Sequence, residues 1–182
     1  MSKKYNKKIS DTNVRLGLVR FAYLHVFEPR RNVDGTQGKY ECVCIIPKSD
    51  TDTVTMFNEA FEAAKRDGVA TKWGGKLPRN FQGGLRDGDE KEDPAFENCW
   101  YFNAKSNKKP GVRVLEDGEV LEVLENDDFY SGCYGAVAVN LFPYSAGGNN
   151  GVGVGLNNLI KIEDGERLSG GRTAEQDFGD IS

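Results

Sequence analysis

Three long stretches of the chain alternate apolar with polar or aromatic side chains at a period of two. They cover residues 14–27, 130–144 and 152–162, lengths of 11 to 15 residues, and the first is interrupted on its apolar face by Arg20. Successive side chains of a strand point to opposite faces, so this period predicts half-buried β-strands. Strands of this length can bend around a barrel, which restricts the chain to a mainly β architecture.

Shorter segments with strand character occupy much of the remaining chain. The segment at 39–46 follows the Asp34-Gly35 turn, another lies at 99–104, and Asp117-Gly118 joins 112–115 to 120–124. Asp-Gly pairs between alternating apolar segments are a strong signal for a hairpin turn. We therefore predict five main strands and one additional hairpin.

One segment has the spacing of an amphipathic helix. Its apolar residues recur three and four positions apart from Val54 to Ala64, Ser49 can cap the first turn, and Gly68 ends the pattern. This predicts a helix of about four turns. The following residues, 69–94, show neither period and are rich in glycine, proline and charge, which predicts a long functional loop.

Together these elements predict a five-stranded antiparallel barrel of the oligonucleotide/oligosaccharide-binding (OB) type with one amphipathic helix, and an open sandwich is the alternative. We expect the barrel domain to span residues 14–164. The lysine-rich residues 1–13 are expected to form a flexible arm. Residues 165–182 are acidic and glycine-rich with few apolar side chains, so we expect a disordered tail.

Charge is unevenly distributed along the chain. Residues 163–182 contain six acidic residues and two arginines, a balance of −4 that equals the formal charge of the whole chain. The rest is neutral overall, with basic blocks separated by acidic ones at 87–97 and 116–128. Blocks of like charge are usually solvated loops, so charge alone does not identify a ligand.

The composition argues against several classes of protein. No segment approaches the ~18 apolar residues of a membrane span, and the N-terminal segment carries charge without an apolar stretch, so we expect neither membrane insertion nor secretion. Four cysteines without an export signal predict reduced thiols. His25 is the single histidine, which excludes most zinc sites. We expect no metal and no cofactor.

An enzymatic alternative rests on the acidic residues between Asp87 and Asp93. Carboxylates could hold Mg²⁺ for phosphodiester hydrolysis, although their spacing matches no metal-binding loop. The pattern Gly151-x-Gly153-x-Gly155 is not a dinucleotide fingerprint, because a strand rather than a helix follows it. Glycines on one face of a strand instead permit coiling or close approach of another backbone.

Aromatic and cationic side chains are interleaved in several parts of the chain. Proteins that bind single-stranded nucleic acid stack bases on rings and follow the backbone with cations, without precise base-edge partners. Trp73 is flanked by a lysine and two glycines and is expected to be exposed, whereas Trp100, Phe102 and Phe142 are expected in the core. The candidate nucleic-acid-binding residues are Arg30, Arg31, Lys39, Lys72, Trp73, Lys76, Arg79, Trp100, Lys105, Lys108, Lys109, Tyr130, Tyr134 and Tyr144.

The acidic tail predicts a second interaction. Tethered to a domain with basic loops, it could occupy a cationic groove at an effective concentration of order mM and be displaced by nucleic acid. It also presents two apolar side chains among acids, which a partner protein could bind. The candidate tail residues are Glu175, Asp177, Phe178, Asp180 and Ile181. A merely solubilising tail is the alternative.

Several stretches of the chain resemble one family of phage proteins, once catalogued as a domain of unknown function and later grouped with phage single-stranded DNA-binding proteins. They are VFEPR at 26–30, IIPKSD at 45–50, LRDGDE at 85–90, FYSGCYGAVAVNLFPY at 129–144 and GVGVGLNNLIKIEDGERLSGG at 151–171. These segments extend over nearly all of the chain that we expect to be ordered.

The resemblance implies an OB barrel, without enzymatic activity, that coats single-stranded DNA without sequence specificity during phage replication and recombination in the cytoplasm of the infected bacterium. In related proteins an acidic tail restrains DNA binding and contacts partners such as phage or host polymerase and helicase. The ending EQDFGDIS resembles such a tail, although its phenylalanine is not terminal. A homodimer or a filament along DNA is a further expectation, and a phage structural or interaction protein is the alternative that does not bind DNA.

Overall fold

The computed structural model describes residues 4–123, 128–168 and 181. Short 3₁₀ turns span Gly88–Lys91 and Pro94–Phe96. In chain order the strands and the helix are β1 (Lys7–Lys8), β2 (Asn13–His25), β3 (Tyr40–Pro47), α1 (Thr51–Thr71), β4 (Phe81–Gln82), β5 (Arg86–Asp87), β6 (Cys99–Ser106), β7 (Gly111–Glu116), β8 (Glu119–Glu122), β9 (Tyr134–Ala146) and β10 (Asn149–Glu163).

Five of these strands form a closed barrel. Antiparallel pairs join β6 to β3, β3 to β2, β2 to β9 and β9 to β10. The barrel closes where β10 runs parallel to β6, with Gly155 opposite Lys105. The predicted five-stranded OB-type barrel is confirmed, except that this closing pair is parallel.

Short strands attach the loops to this barrel. The β7–β8 hairpin extends the sheet beyond β10, with β7 parallel to β10. The loop predicted over 69–94 contains β4, which pairs with β10, and β5, which pairs with β6. Because β6 and β10 close the barrel, these two pairings place the loop along the closing seam.

The barrel interior is built from the alternating residues of the long strands. Leu16, Val137, Val139 and Leu156 are buried there. Cys42 and Cys44 also point into the core, and their Sγ atoms lie 3.9 Å apart. All four cysteines are free, and burial raises the pKa of Cys133 to about 11.

Helix α1 packs against β2, β9 and β10. Its N-cap is Asp50 rather than Ser49, because the Asp50 carboxylate accepts hydrogen bonds from the backbone N–H (3.3 Å) and the hydroxyl (2.8 Å) of Thr53. The helix also runs to Thr71, about six turns instead of four. Gly68 does not end it: this glycine is buried within the helix, where the Trp73 ring and Pro143 occupy the space of a side chain.

The described part of the predicted N-terminal arm is attached to the barrel. β1 pairs with β2, and the Asn6 side chain accepts a hydrogen bond from the Gly17 N–H (3.0 Å) and donates one to Thr53 (2.9 Å). Arg15 also donates to the Tyr5 carbonyl at 2.7 Å. A lysine-rich composition predicted flexibility, whereas these polar contacts fix residues 5–8.

Within the part of the chain that the structure describes, no helix has both the length and the apolar character that crossing a membrane requires.

Candidate nucleic-acid interface

A groove of about 480 Å³ lies over the seam where β6 and β10 close the barrel. Its walls come from the β2–β3 connection, the β4–β5 segment, β6 and the β9–β10 hairpin. We call it the main groove. Its lining residues are Lys39, Gln82, Gly83, Gly84, Arg86, Phe102, Asn103, Lys105, Phe142, Tyr144, Val152, Gly153 and Val154.

Alternate glycines of β10 make room for aromatic rings of β9 in this groove. Gly153 pairs with Phe142, and Gly151 pairs with Tyr144. A Cβ atom at Gly153 would come within 2.8 Å of the Phe142 ring. One at Gly151 would collide first with the Gln82 carbonyl of β4 and would lie 2.9 Å from the Tyr144 hydroxyl. The end of the Phe142 ring therefore lies over Gly153, while 42% of the residue remains exposed. Such a supported, open ring is suited to stacking.

The expectation that Phe142 lies in the core is wrong. Its neighbours Leu141 and Val139 point into the barrel, so Phe142 belongs to the outer face of β9. Phe102, by contrast, is buried as predicted.

Cationic side chains reach the main groove from three separate elements. Lys39 precedes β3, Arg86 lies on β5 and Lys105 on β6, and all three are exposed. Among the described residues that line this groove, none carries a carboxylate. The nearby Glu41 carboxylate is 13% exposed and is paired with Arg30 (3.0 Å) and Lys105 (3.7 Å). The main groove is therefore electropositive.

Two further depressions continue from the main groove. The second groove, about 380 Å³, shares Arg86 and Asn103 with it, and the third groove, about 390 Å³, shares Lys39 and Lys105. Together they form one cationic path on the outer surface of the barrel. The second groove is lined by Tyr23, His25, Arg30, Glu41, Cys42, Val43, Arg86, Lys91, Tyr101 and Asn103. The third is lined by Arg30, Asn32, Gln37, Gly38, Lys39, Glu41, Lys105 and Asn107.

The grooves bring together only part of the predicted site. Lys39, Lys105 and Tyr144 line the main groove, and Arg30 lines the second and third. The other predicted cations are exposed in loops and line none of the three grooves; they are Arg31, Lys72, Lys76, Arg79, Lys108 and Lys109. A DNA-binding role for these residues stays a prediction.

Trp73 is not the exposed ring that its flanking residues predict. The indole is half-buried against the core, edge-on to Phe81 at 5.5 Å, and its Nε1–H donates to the Tyr144 carbonyl at 3.2 Å. The physical reason is Gly68, which leaves a space on α1 that the ring fills. Trp73 therefore connects α1 to the end of β9, behind Tyr144.

Trp100 lies beside an ion-pair cluster rather than in a groove. The Lys48 ammonium is 4.7 Å from the centre of its ring and pairs with Asp87 (2.8 Å) and Asp89 (2.9 Å). The hydrogen bond from Lys48 lowers the pKa of Asp87, and the hydrogen bond from the Asn98 N–H lowers that of Asp89.

These contacts give the acidic segment 87–93 a structural role. Asp87 and Asp89 both accept hydrogen bonds from the Lys48 ammonium, and Asp87 also caps the first 3₁₀ turn by accepting one from the Asp89 N–H. Asp93 caps the next turn by accepting a hydrogen bond from the Ala95 N–H. Among the residues that the structure describes, no group of His, Cys, Asp or Glu side chains is arranged to hold a metal ion. The nuclease alternative gains no support from this arrangement.

Tyr130 and Tyr134 lie far from Tyr144. Tyr134 begins β9, ten residues before Tyr144, which separates them by roughly 30 Å along the strand. Arg20 lies over the Tyr134 ring at 5.3 Å. Tyr130 donates to Asp164 at 2.7 Å, and burial is the main cause of its raised pKa. Neither tyrosine lines any of the three grooves described above.

The start of the predicted tail is attached to the barrel. Arg20 donates to the Glu166 carbonyl (2.8 Å), and the Leu168 N–H donates to the Ser131 carbonyl (3.0 Å). Leu168 packs against a small cluster that contains Val43, which also lines the second groove. Of the predicted tail residues, Ile181 is exposed; Glu175, Asp177, Phe178 and Asp180 lie outside the described residues.

Sequence reasoning missed several residues of the grooves. They include Gln82, Arg86 and Asn103 in the main groove and Tyr23, Lys91 and Tyr101 in the second. Arg86 lies in a basic stretch, so its charge alone could have identified it as a candidate binding residue. Tyr23 is one of several alternating residues of β2, and nothing in the sequence distinguishes it from the others as a binding residue.

Comparison with known proteins identifies relatives over nearly the whole chain. Protein p50 of Acyrthosiphon pisum secondary endosymbiont phage 1 is 29% identical over 181 residues, covering 93% of this chain and 94% of that protein. The single-stranded DNA-binding protein of bacteriophage Enc34, solved in complex with single-stranded DNA, superposes with a TM-score of 0.73 at 22% identity, covering 90% of this chain and 96% of that one.

A second solved structure shows the same fold. It is gp2.5, a single-stranded DNA-binding protein encoded by bacteriophage T7, with a TM-score of 0.54 at 16% identity over 97% of this chain and 95% of that one. These solved structures are of binding proteins rather than enzymes. The family model described as the single-stranded DNA-binding protein of Enterobacter phage Enc34 matches residues 12–182. The chain therefore belongs to this family of phage proteins, as the sequence resemblance predicts.

Proposed function

We propose that this protein binds single-stranded DNA along the main groove, without sequence specificity and without chemical change to the DNA. The observation that carries this proposal is the groove itself, in which the open ring of Phe142, supported by Gly153, lies beside three cations from separate elements. Cations attract the phosphates, and rings accept any base because every base has a stackable face. Membership of the Enc34 family supports the same ligand.

The biological setting follows from the same proposal. A phage protein that covers unpaired strands acts where strands are separated, so we place it in replication and recombination, in the cytoplasm of the infected bacterium. Phage or host polymerase and helicase are the partners that we propose for its tail. Assembly as a homodimer or as a filament on DNA would extend the cationic path from one protomer to the next.

A titration at two salt concentrations tests the proposed function. We expect full-length protein to bind a labelled single-stranded oligonucleotide, to bind the matching duplex more weakly, and to leave the oligonucleotide intact when Mg²⁺ is added. Each phosphate that the protein neutralises contributes about 0.7 to the slope of log affinity against log salt. Three groove cations therefore predict a slope of about −2 or steeper. No retention near 50 mM salt, or a flat salt dependence, would contradict the proposal.

We further propose that the acidic tail competes with DNA for these grooves. Leu168 packs against the cluster that contains Val43, a lining residue of the second groove, and residues 169–182 follow it in the sequence. Fully extended, 14 residues reach up to roughly 50 Å, so the acidic residues can reach the second groove from the neighbouring cluster that Leu168 contacts. The acidic residues of 169–182 outnumber the single arginine there by three to one, so their charge complements the groove cations.

Removing residues 169–182 is expected to tighten single-stranded DNA binding at low salt by about 10-fold. This follows if the tail, at an effective concentration of about 1 mM, binds the groove with a Kd of about 0.1 mM. Fluorescence anisotropy at low and high salt measures the effect, which should vanish when salt screens the competitor.

A full-length variant with Glu175→Gln, Asp177→Asn and Asp180→Asn is the matched control for chain length. It should bind DNA nearly as tightly as the truncated protein, because only charge has been removed. A truncated protein with unchanged or weaker affinity would exclude the tail as a competitor.

A further inference from the structure

The Lys91 ammonium lies among three aromatic rings at the edge of the second groove. Its Nζ atom is 4.9 Å from the ring centre of Phe96, 5.3 Å from that of Tyr101 and 5.5 Å from that of Tyr23. These distances are within the ~6 Å at which a cation interacts with an aromatic face. Phe96 is buried and edge-on to Tyr101, whereas 48% of Tyr23 is exposed. The chain's own cation therefore occupies a partly open cage of rings.

An irregular backbone directs Tyr23 towards this cage. The φ angle of Tyr23 is +48°, in the left-handed region that residues other than glycine seldom adopt. The pairing of β2 with β3 also shifts register between Ala22 and His25, as at a β-bulge. Bulges redirect side chains next to functional sites, and an exposed ring held on an unfavourable backbone is not explained by core packing.

The cage lies on a continuation of the main groove. Arg86 and Asn103 line both grooves, and Arg30 adds a further cation to the second one. A strand that passes Arg86 on leaving the main groove would therefore reach Tyr23 and Tyr101. Its phosphates would meet Arg30, Arg86 and Lys91 on the way.

We propose that Tyr23 and Tyr101 form a second base-stacking site for single-stranded nucleic acid, and that Lys91 is a placeholder which leaves the rings to pair with a phosphate when a base enters. The inference rests on the proposed function. An ammonium and a base compete for the same ring faces, so both cannot occupy the cage. Lys91 is exposed, so its cation–π interaction with the rings is weak. When the ammonium leaves the rings, its new contact with a phosphate and the release of counterions from the DNA compensate for the lost interaction.

The variant Tyr23→Asn tests the stacking site. Asparagine tolerates the left-handed backbone, so the ring is removed without new strain. Val120→Asn is the matched control, because Val120 is 63% exposed on β8 and lines none of the three grooves. We would measure the affinity of full-length proteins for oligothymidylates of about 4 to 16 nucleotides, the range of site sizes for one OB fold.

For the longer oligonucleotides, Tyr23→Asn is expected to weaken binding roughly 5- to 150-fold, the loss typical of one stacked base. The shortest oligonucleotides, which fit within the main groove, should bind Tyr23→Asn and wild type equally. Equal affinities of Tyr23→Asn and Val120→Asn at every length would overturn the proposal. Failure of the wild type to bind any oligonucleotide would overturn the proposed function as well, so the two failures are distinguishable.

The variant Lys91→Met tests the placeholder. Methionine keeps an apolar stem over Phe96 and removes the ammonium, so the slope of log affinity against log salt should become shallower by about 0.7. At high salt, Lys91→Met should bind the longer oligonucleotides at least as tightly as wild type, because no ammonium has to leave the rings. An unchanged slope, or weaker binding at high salt, would overturn the placeholder role.

Discussion

Replacing Lys39 and Arg86 together with glutamate is expected to weaken single-stranded DNA binding at low salt by about 100-fold, or about 2.7 kcal/mol. Both side chains are exposed and line the main groove, one from the β2–β3 connection and the other from β5. Each substitution removes one attraction to a phosphate and introduces one repulsion. The salt slope should also become shallower by about 1.4, because two phosphate contacts are lost at about 0.7 each.

The matched control is Lys7→Glu with Arg66→Glu. These two side chains are also exposed, and the pair changes the net charge by the same amount, but neither lines any of the three grooves. We expect a loss of only a few-fold from the change in long-range attraction, which salt screens. Equal losses in the two double variants would show that net charge, rather than the groove, controls binding. Urea denaturation of both variants checks that the fold is retained.

The sequence predicted the barrel because its long strands carry their burial pattern in their own residues. In β9, the buried Val137, Val139 and Leu141 alternate with outward-facing residues, and this alternation is visible in the sequence itself. The structure has a strand at the same place as the pattern. Local periodicity of this kind depends on which face is buried, and not on which strand is the neighbour. Fold class could therefore be predicted without knowledge of tertiary contacts.

The limits of the helix and the place of Trp73 could not be predicted in this way. Gly68 predicts a helix end, because glycine commonly follows the last turn of a helix. The polar neighbours of Trp73 predict that its ring is exposed. The two residues are complementary in the structure, because the absence of a side chain at Gly68 provides the space that the Trp73 ring fills. Complementarity between two such positions is a tertiary property that neither shows alone.

The candidate site was harder to predict than the fold for a related reason. Lys105 and Tyr144 were identified from residue type, but their proximity depends on the parallel closure of β6 on β10. Arg86 reaches the same groove only because the two-residue strand β5 pairs with Tyr101 of β6. A strand of two residues has no detectable period, so its partner and register are decided by the closed barrel.

Replacing Phe142 with alanine is expected to cost about 1–3 kcal/mol in single-stranded DNA affinity and little in stability. The ring lies over Gly153 on the outer face of β9 and is 42% exposed, so its removal opens no cavity in the core. Tyr134→Ala is the informative comparison, since Tyr134 belongs to the same strand and was predicted from the sequence to bind DNA. Its ring packs beneath Arg20, and it lies eight residues before Phe142, roughly 26 Å along β9.

The two variants should therefore separate affinity from stability. Tyr134→Ala is expected to lower the urea midpoint, because Arg20 loses the ring beneath it, while DNA affinity changes by less than about 0.5 kcal/mol. Phe142→Ala should show the opposite pattern, with a near-normal midpoint and the larger loss of affinity. Oligonucleotide titrations beside urea denaturation curves measure both quantities on the same samples. If Tyr134→Ala lost affinity and Phe142→Ala did not, the DNA path would lie at the other end of β9, near Glu166 and Leu168, and the main groove would not be the site.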